Sequence, residues 1–323
     1  MPFELTHPLP VESAHQLSER LTGLRRYLML ALGAICFGSV VPAGKLVADA
    51  FPVLVASCLR EVPAALILAP LVIRERRALL GLDRAGWVKI LTVAALGLYG
   101  FGVLLFFGLK LTSGVVGSVV RSSSPAATAI ASCAVLGEAL GWRRLGAIGL
   151  AILGILAIQL GGGTEGGGGR MPVLGTGLLV LAVGCGALNT VAAKSVSMQV
   201  KPGAALGLAA IVAVGLATPA AIVAGLSSSE SISPGPAGWA ALAWVGLALP
   251  IGALCWFNGL SRVAASTAAG FQGLIPASAL VLSYVILGEP FRWAHPVGLT
   301  IVLGGVLLIG WDDARCRMAE QDD

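Results

Sequence analysis

The sequence predicts an all-α integral membrane protein: ten transmembrane helices arranged as two inverted five-helix repeats. Three observations predict it. Of the 323 residues, 57% are hydrophobic and only 11% are charged, against about 25% charged in soluble domains. Apolar runs of roughly the 20 residues a bilayer requires recur at 27–48, 52–73, 86–109, 112–136, 142–161, 172–193, 203–225, 237–259, 263–287 and 293–311. The second half also echoes the first at offsets of 149 to 152 positions.

In chain order, residues 1–26 read as a cytoplasmic N-terminal tail. Glu4, Glu12, Glu19 and two early prolines argue against a cleaved leader. The first repeat covers 27–161. Its first span ends near Lys45, its second begins at Pro52 and its third at Gly86-Trp87. The fourth, Gly117–Glu138, reads GSVVRSSSPAATAIASCAVLGE. A Gly-rich external linker, 162–171, joins the halves, and the second repeat runs over 172–311. There Lys194 answers Lys45, Pro202 answers Pro52, and Gly238-Trp239 answers Gly86-Trp87. The stretch Gly270–Glu289 answers the fourth span: Pro276 falls on Pro125, Leu287-Gly288-Glu289 on Leu136-Gly137-Glu138, and Gln272 on Arg121. Residues 312–323 form a cytoplasmic C-terminal tail. Five spans per half is an odd number, so the second half must enter the membrane from the opposite side.

Positive charge sets the orientation. With the N-terminus inside, fifteen of the 21 Lys and Arg residues fall on the inner side, and four (Lys45, Lys110, Arg170 and Arg292) fall outside. That bias places both termini in the cytoplasm of a cell-membrane protein. The net charge of +5 is thus spent on topology, and no nucleic-acid partner is expected. Cysteines and histidines never cluster, so no metal site and no cofactor are expected.

Phe37-Gly38-Ser39 with Lys45, Arg60 in the second span, and Pro125 followed by Gly137-Glu138 in the fourth, with the second set Lys194, Pro276 and Gly288-Glu289, resembles the drug/metabolite transporter superfamily, EamA type. The resemblance covers about 27–311. It implies a ten-helix, two-repeat carrier of small organic metabolites, often moved outward. The chain departs from the family pattern at Cys36-Phe37-Gly38, where a Trp-Gly pair is common, and at Ala210, which stands opposite Arg60.

The residues that could carry chemistry are few. Arg60, Glu61 and Arg121 lie roughly 12–14 Å along their helices, near the midplane of a ~30 Å core. A charge there costs at least ~2.5–3.5 kcal/mol, so each should face protein or water. Arg60 and Glu61 are adjacent, about 100° apart, and do not make a natural helix-face pair. Glu61 and Arg121 could pair, leaving Arg60 to cap carbonyls. Alternatively, Arg121 faces the cavity and takes a carboxylate. Arg60 and Glu61 are read as an ion network or proton-coupling pair, with a purely structural network as the competing role. Pro125 and Pro276 should bend the fourth and ninth helices beside a central cavity, and Ser122–Ser124 can satisfy the carbonyl of Arg121 that Pro125 frees, or bind a ligand. Candidate substrate contacts are Arg121, Gln272, Tyr99, Asn189, Ser122 and Trp256, with packing or interhelical bonding as the alternative for most. Lys45 and Lys194 should snorkel. Glu138 and Glu289 should cap the first turn of the helix that follows each.

The reading is a secondary transporter, an exporter or exchanger, of small organic solutes such as amino acids or other carboxylates, by alternating access around a central cavity. Its partners are the substrate and the lipid bilayer; monomer and homodimer are both open. A channel or structural membrane protein is the alternative. An intramembrane enzyme is the weakest reading, since no histidine lies mid-span and Asp is absent from the predicted helix interiors. GGGTEGGGG, 161–169, lacks the Gly-Lys-Ser/Thr ending of a phosphate-binding loop.

Overall fold

The computed structural model describes residues 11–136, 142–161, 171–196, 200–227, 234–260 and 271–322, and every regular element among them is helical. The first predicted span lies within α1 (Val11–Ala50). The second is split into α2 (Val53–Leu59) and α3 (Val62–Arg74). Pro63 has no N–H to give the Leu59 carbonyl, so the helix gives way at Arg60–Glu61. A short helix, α4 (Arg76–Leu80), leads to the third span, which is α5 (Arg84–Thr92), a π-helical segment (Val93–Gly100) and α6 (Phe101–Leu111). Asp83 starts it by accepting the Gly86 N–H at 2.7 Å.

The fourth span is α7 (Gly114–Ser122) and α8 (Ser124–Leu136), interrupted at Ser123. Next come α9 (Trp142–Gly161), α10 (Pro172–Val196), α11 (Pro202–Ser227) and α12 (Pro236–Leu260). The last two are α13 (Leu274–Leu287), entered through a turn at Gly273, and α14 (Ala294–Asp322). α1 begins well before residue 27 and α14 continues past residue 311, so residues 11–26 and 312–322 continue the adjoining helices.

Six helices among the described residues are long and apolar enough to cross a membrane: Tyr27–Ala50, Val53–Arg74, Arg84–Leu111, Pro172–Ala192, Gly203–Ser227 and Pro236–Trp256. The other four predicted spans hold shorter apolar helices, Ser124–Val135, Leu145–Ile158, Leu274–Leu287 and Ala294–Leu308. The all-α membrane class therefore holds, whereas the described helices supply six spans by length and do not establish the count of ten. The fourth falls short because Ser123 divides it, and the ninth because its first residues lie outside those described.

Packing interleaves the two halves. α1 packs on α12 and α13, and its repeat counterpart α10 packs on α6 and α8. α2 and α3 pack on α11, α9 on α14, and α7 on α13. Each of these contacts maps onto another, or onto itself, when the halves are exchanged. Small residues permit the approach. A Cβ on Gly154 would sit 2.7 Å from the Gly298 carbonyl oxygen, which brings α9 and α14 backbone to backbone. The central apolar cluster, including Val40, Val47, Phe106, Leu109 and Val245, draws on both halves.

Candidate functional site

Between the halves lies a cavity of about 380 Å³, within the range of small-molecule sites. α1, α7 and α8 wall it on one side; α12, α13 and α14 wall it on the other. Of the sequence candidates, Arg121, Ser122, Trp256 and Gln272 line it, together with Pro125 and Pro276.

The breaks at Ser123 and Gly273 fall at nearly equivalent positions. In the first half, Pro125 frees the carbonyl of Arg121, and the Ser124 hydroxyl donates to it at 2.7 Å. The Ser122 and Ser123 hydroxyls donate to the carbonyls of Val119 and Val120 at 2.5 and 2.6 Å. All three serines thus satisfy the last turn of α7, and Ser122 and Ser124 also border the cavity. In the second half, the hydroxyl of Ser278 gives the same service to Ile275, at 2.9 Å.

Arg121 leaves α7 just before this break. Its guanidinium carbon stands 5.4 Å from the centroid of the Phe101 ring, a cation–π distance. Among the described residues no carboxylate lies within ion-pairing distance of it. Glu61 is engaged elsewhere. Arg60 and Glu61, expected not to make a natural helix-face pair, do meet in the ion network that was the other expectation, and this displaces the alternative of a Glu61–Arg121 pair. Arg60 Nη2 lies 2.5 Å from Glu61 Oε1, with the two side chains only 3% and 6% exposed. Both residues sit in the turn between α2 and α3, where their long side chains reach each other. The contact is coulombic rather than a well-directed hydrogen bond, since Glu61 Oε1 and Arg60 Nε have no hydrogen-bond partner.

Arg60 does cap a carbonyl, as one expectation had it. Its Nη2 donates to Leu98 O at 2.7 Å, in the π segment, where the wider turns loosen the regular i to i−4 bonding. Its guanidinium carbon is 5.5 Å from the same Phe101 ring that Arg121 approaches. Gly102 makes the room: a Cβ there would meet Arg60 Nε at 2.5 Å. Arg60, Glu61 and Arg121 together carry one uncompensated positive charge.

Two candidates lie elsewhere. Tyr99 packs against the cluster of Leu79, Ile90 and Ala205 and does not border the cavity. Asn189 presses on Gly97 of the π segment, and its buried Oδ1 has no hydrogen-bond partner. Neither position differs in the sequence from a polar residue that does reach the cavity.

Sequence reasoning named Phe37 only within the family-like motif and not as a site residue, and it passed over Ser118 and Phe101. Phe37 and Ser118 line the cavity. Phe37 meets Trp256 with ring centroids 6.4 Å apart. The Phe37-Gly38 step held the signal: a Cβ on Gly38 would collide with Ser278 Oγ and the Ile275 carbonyl oxygen, so α1 and α13 touch there.

The charged residues near helix ends behave differently from expectation. Lys45 forms an i,i+4 ion pair with Asp49 at 2.9 Å. Glu289 does not cap the helix that follows it. It reaches across to the other half and accepts the N–H groups of Gly114 and Val115 at 2.6 and 2.9 Å, at the start of α7. The unsatisfied amides of a helix N-terminus attract a carboxylate whatever its place in the sequence. Burial raises the Glu289 carboxyl above its ordinary value, and these two amides, Lys45 and Ser113 partly offset the effect. Glu138 and the side chain of Lys194 lie outside the described residues.

The comparisons with known proteins agree with this architecture. Over 283 residues the chain is 29% identical to the uncharacterized transporter YetK of Bacillus subtilis (strain 168), covering 87% of this chain and 86% of that protein. It is 28% identical over 230 residues to the uncharacterized transporter YyaM of the same organism, 69% of this chain and 73% of that one. An S-adenosylmethionine/S-adenosylhomocysteine transporter of Chlamydia trachomatis serovar L2 shares 28% identity over 137 residues, 42% of each chain. One solved crystal structure superposes with a TM-score of 0.59 at 18% identity, over 89% of this chain and 97% of that one. It is similar in fold. The EamA-like transporter family matches residues 24–160 and again 173–311, once for each half read from the sequence, and the chain belongs to that family.

Proposed function

We propose that the protein is a secondary transporter of small organic metabolites that carry a carboxylate, amino acids included, working by alternating access around the cavity between its halves. In this reading ten spans cross the cell membrane, both termini are cytoplasmic, and export or exchange runs on solute gradients. One observation carries it: Arg121 borders the cavity, and among the described residues it has no carboxylate partner and stands over the Phe101 ring. A guanidinium held there fits a carboxylate in two-point fashion. Gln272 at the equivalent position of the other half borders the same cavity, as a two-sided site requires. The name of the Chlamydia relative supports the class, because S-adenosylmethionine and S-adenosylhomocysteine both bear an amino-acid carboxylate.

The test is counterflow in proteoliposomes. Saturable uptake of a labelled carboxylate into vesicles preloaded with the same compound is expected. Arg121→Gln, which copies the residue used by the other half, should abolish that uptake while the protein elutes as a folded monodisperse species. Undiminished uptake by Arg121→Gln would sink the reading, and non-saturable flux would favour a channel.

A further inference from the structure

Charge at the cavity is one-sided. Arg121 offers a guanidinium, and no Asp or Glu is among the lining residues. The sequence puts one acidic residue deep in a span, Glu61, and its carboxylate is buried against Arg60. Neutral groups offer an ammonium only partial charge: the Gln272 amide and the Trp256 ring border the cavity, and the carbonyls at the helix break already have hydroxyl donors. Ser122, Ser123 and Ser124 hydroxyls occupy the carbonyls of Val119, Val120 and Arg121, and Ser278 occupies that of Ile275. A zwitterion would bring its ammonium to a cavity with no anion among its described lining residues and a guanidinium close by, which is unfavourable. Much of the remaining wall is apolar: Phe37 against Trp256, with Leu249, Ile275 and Leu303 around them.

We infer that the site selects organic monoanions that have an apolar body and no amino group, and that it moves them as charged species. This rests on the reading that Arg121 takes the carboxylate. It departs from the zwitterionic amino acids which that reading also admits. The second half of the inference follows from protonation. Among the described lining residues Arg121 is the one titratable side chain, and a guanidinium keeps its proton. None of these described groups carries a proton along with the anion, so in this inference a complete cycle moves one negative charge. An inside-negative membrane potential then drives the anion outward. About 60 mV shifts its equilibrium ratio about tenfold, equivalent to about 1.4 kcal/mol.

Two matched sets of probes test this on the purified full chain. One set is 3-phenylpropionate, phenylalanine and phenethylamine. The other is 4-methylpentanoate, leucine and isopentylamine. Within each set the body is constant and only the carboxylate and the amine change. Binding is read from the shift in melting temperature with probe concentration, and charge movement from proteoliposomes on a solid-supported membrane. Passive leak of a protonated acid carries no current, so the electrical signal belongs to the protein.

The expected result is binding of both amine-free acids at least about tenfold tighter than of the amino acids, and none of the amines. Each acid should give a current whose sign is that of a moving anion, unchanged by a transmembrane pH step. Amino acids that bind as tightly as the acids overturn the inference, and if their binding is lost in Arg121→Gln the broader carboxylate reading survives. Amines bound through Trp256, lost in Trp256→Leu, overturn it too. Binding of the acids without any current overturns the charged-species half. If no carboxylate of either kind binds, the inference and the proposed function fail together.

Discussion

The buried pair Arg60–Glu61 allows a quantitative test of how this bundle is held. Its side chains are 3% and 6% exposed and the charges lie 2.5 Å apart. Removing one member of such a pair strands the other and costs about 3–5 kcal/mol, while replacing both by neutral groups of similar volume is often close to neutral. The two single changes should not be equal here. In Glu61→Gln, Arg60 keeps the Leu98 carbonyl at 2.7 Å and the Phe101 ring, so the loss belongs at the lower end, about 3 kcal/mol. In Arg60→Met, Glu61 Oε1 is left with no hydrogen-bond partner and Leu98 O loses its donor. That loss belongs at the upper end, about 5 kcal/mol. The double variant should be more stable than Arg60→Met alone. The assay is unfolding of the purified protein in detergent, followed by tryptophan fluorescence, for the wild type, both singles and the double. A double variant that loses the sum of the two single effects would show no coupling and refute the argument. Glu61→Gln and Arg121→Gln should couple as well, because Arg60 and Arg121 approach the same Phe101 ring and loss of Glu61 leaves two like charges there, which Arg121→Gln relieves.

Three further predictions are independent of that cycle. Gly102→Ala should destabilise by about 1–3 kcal/mol, the cost of overpacking, because its Cβ meets Arg60 Nε at 2.5 Å and Cζ at 3.0 Å; in an Arg60→Met background the same change should cost nearly nothing. Ser124→Ala removes the donor to Arg121 O and should cost about 1–3 kcal/mol if no water replaces it, with Ser124→Thr retaining most of the stability. Glu289 should make stability fall as pH rises. Its folded carboxyl value is raised above the ordinary 4.5, so the folded state binds the proton more tightly and the advantage of the protonated form, full below 4.5, is lost as pH climbs through the raised value. Lys45 and Tyr284 face the same carboxyl. A melting temperature whose acid-range slope is the same in Glu289→Gln would contradict the assignment.

Much of this molecule was legible in the chain. Pro125 and Pro276 could be aligned by counting, and both line the cavity. The charge of Arg121 set against a neutral Gln272 singled out that position, and both side chains border the same space. Pairings were harder to read. Helical geometry alone separates Arg60 from Glu61, and only the break imposed by Pro63 brings their charges together. Glu289 finds its amides 175 residues earlier in the chain, a partner that local capping rules cannot suggest. Tyr99 and Asn189 looked as eligible as Trp256 because depth and polarity do not specify which way a side chain points. The π segment has no sequence signature, and it decides where Tyr99 goes.

The carboxylate of Glu289 has a mechanical consequence. It rivets the end of α13 to the beginning of α7, one element from each half. Farther along the same two elements, Ser123 and Gly273 interrupt the helices beside the cavity. Among the described residues, α7 ends at Ser122 and α13 begins at Leu274, both beside the cavity, while the fastening lies at their opposite ends. The spacing of two cavity walls therefore depends on a contact that is not part of the described lining, and Glu289→Gln would change that spacing without touching the lining itself.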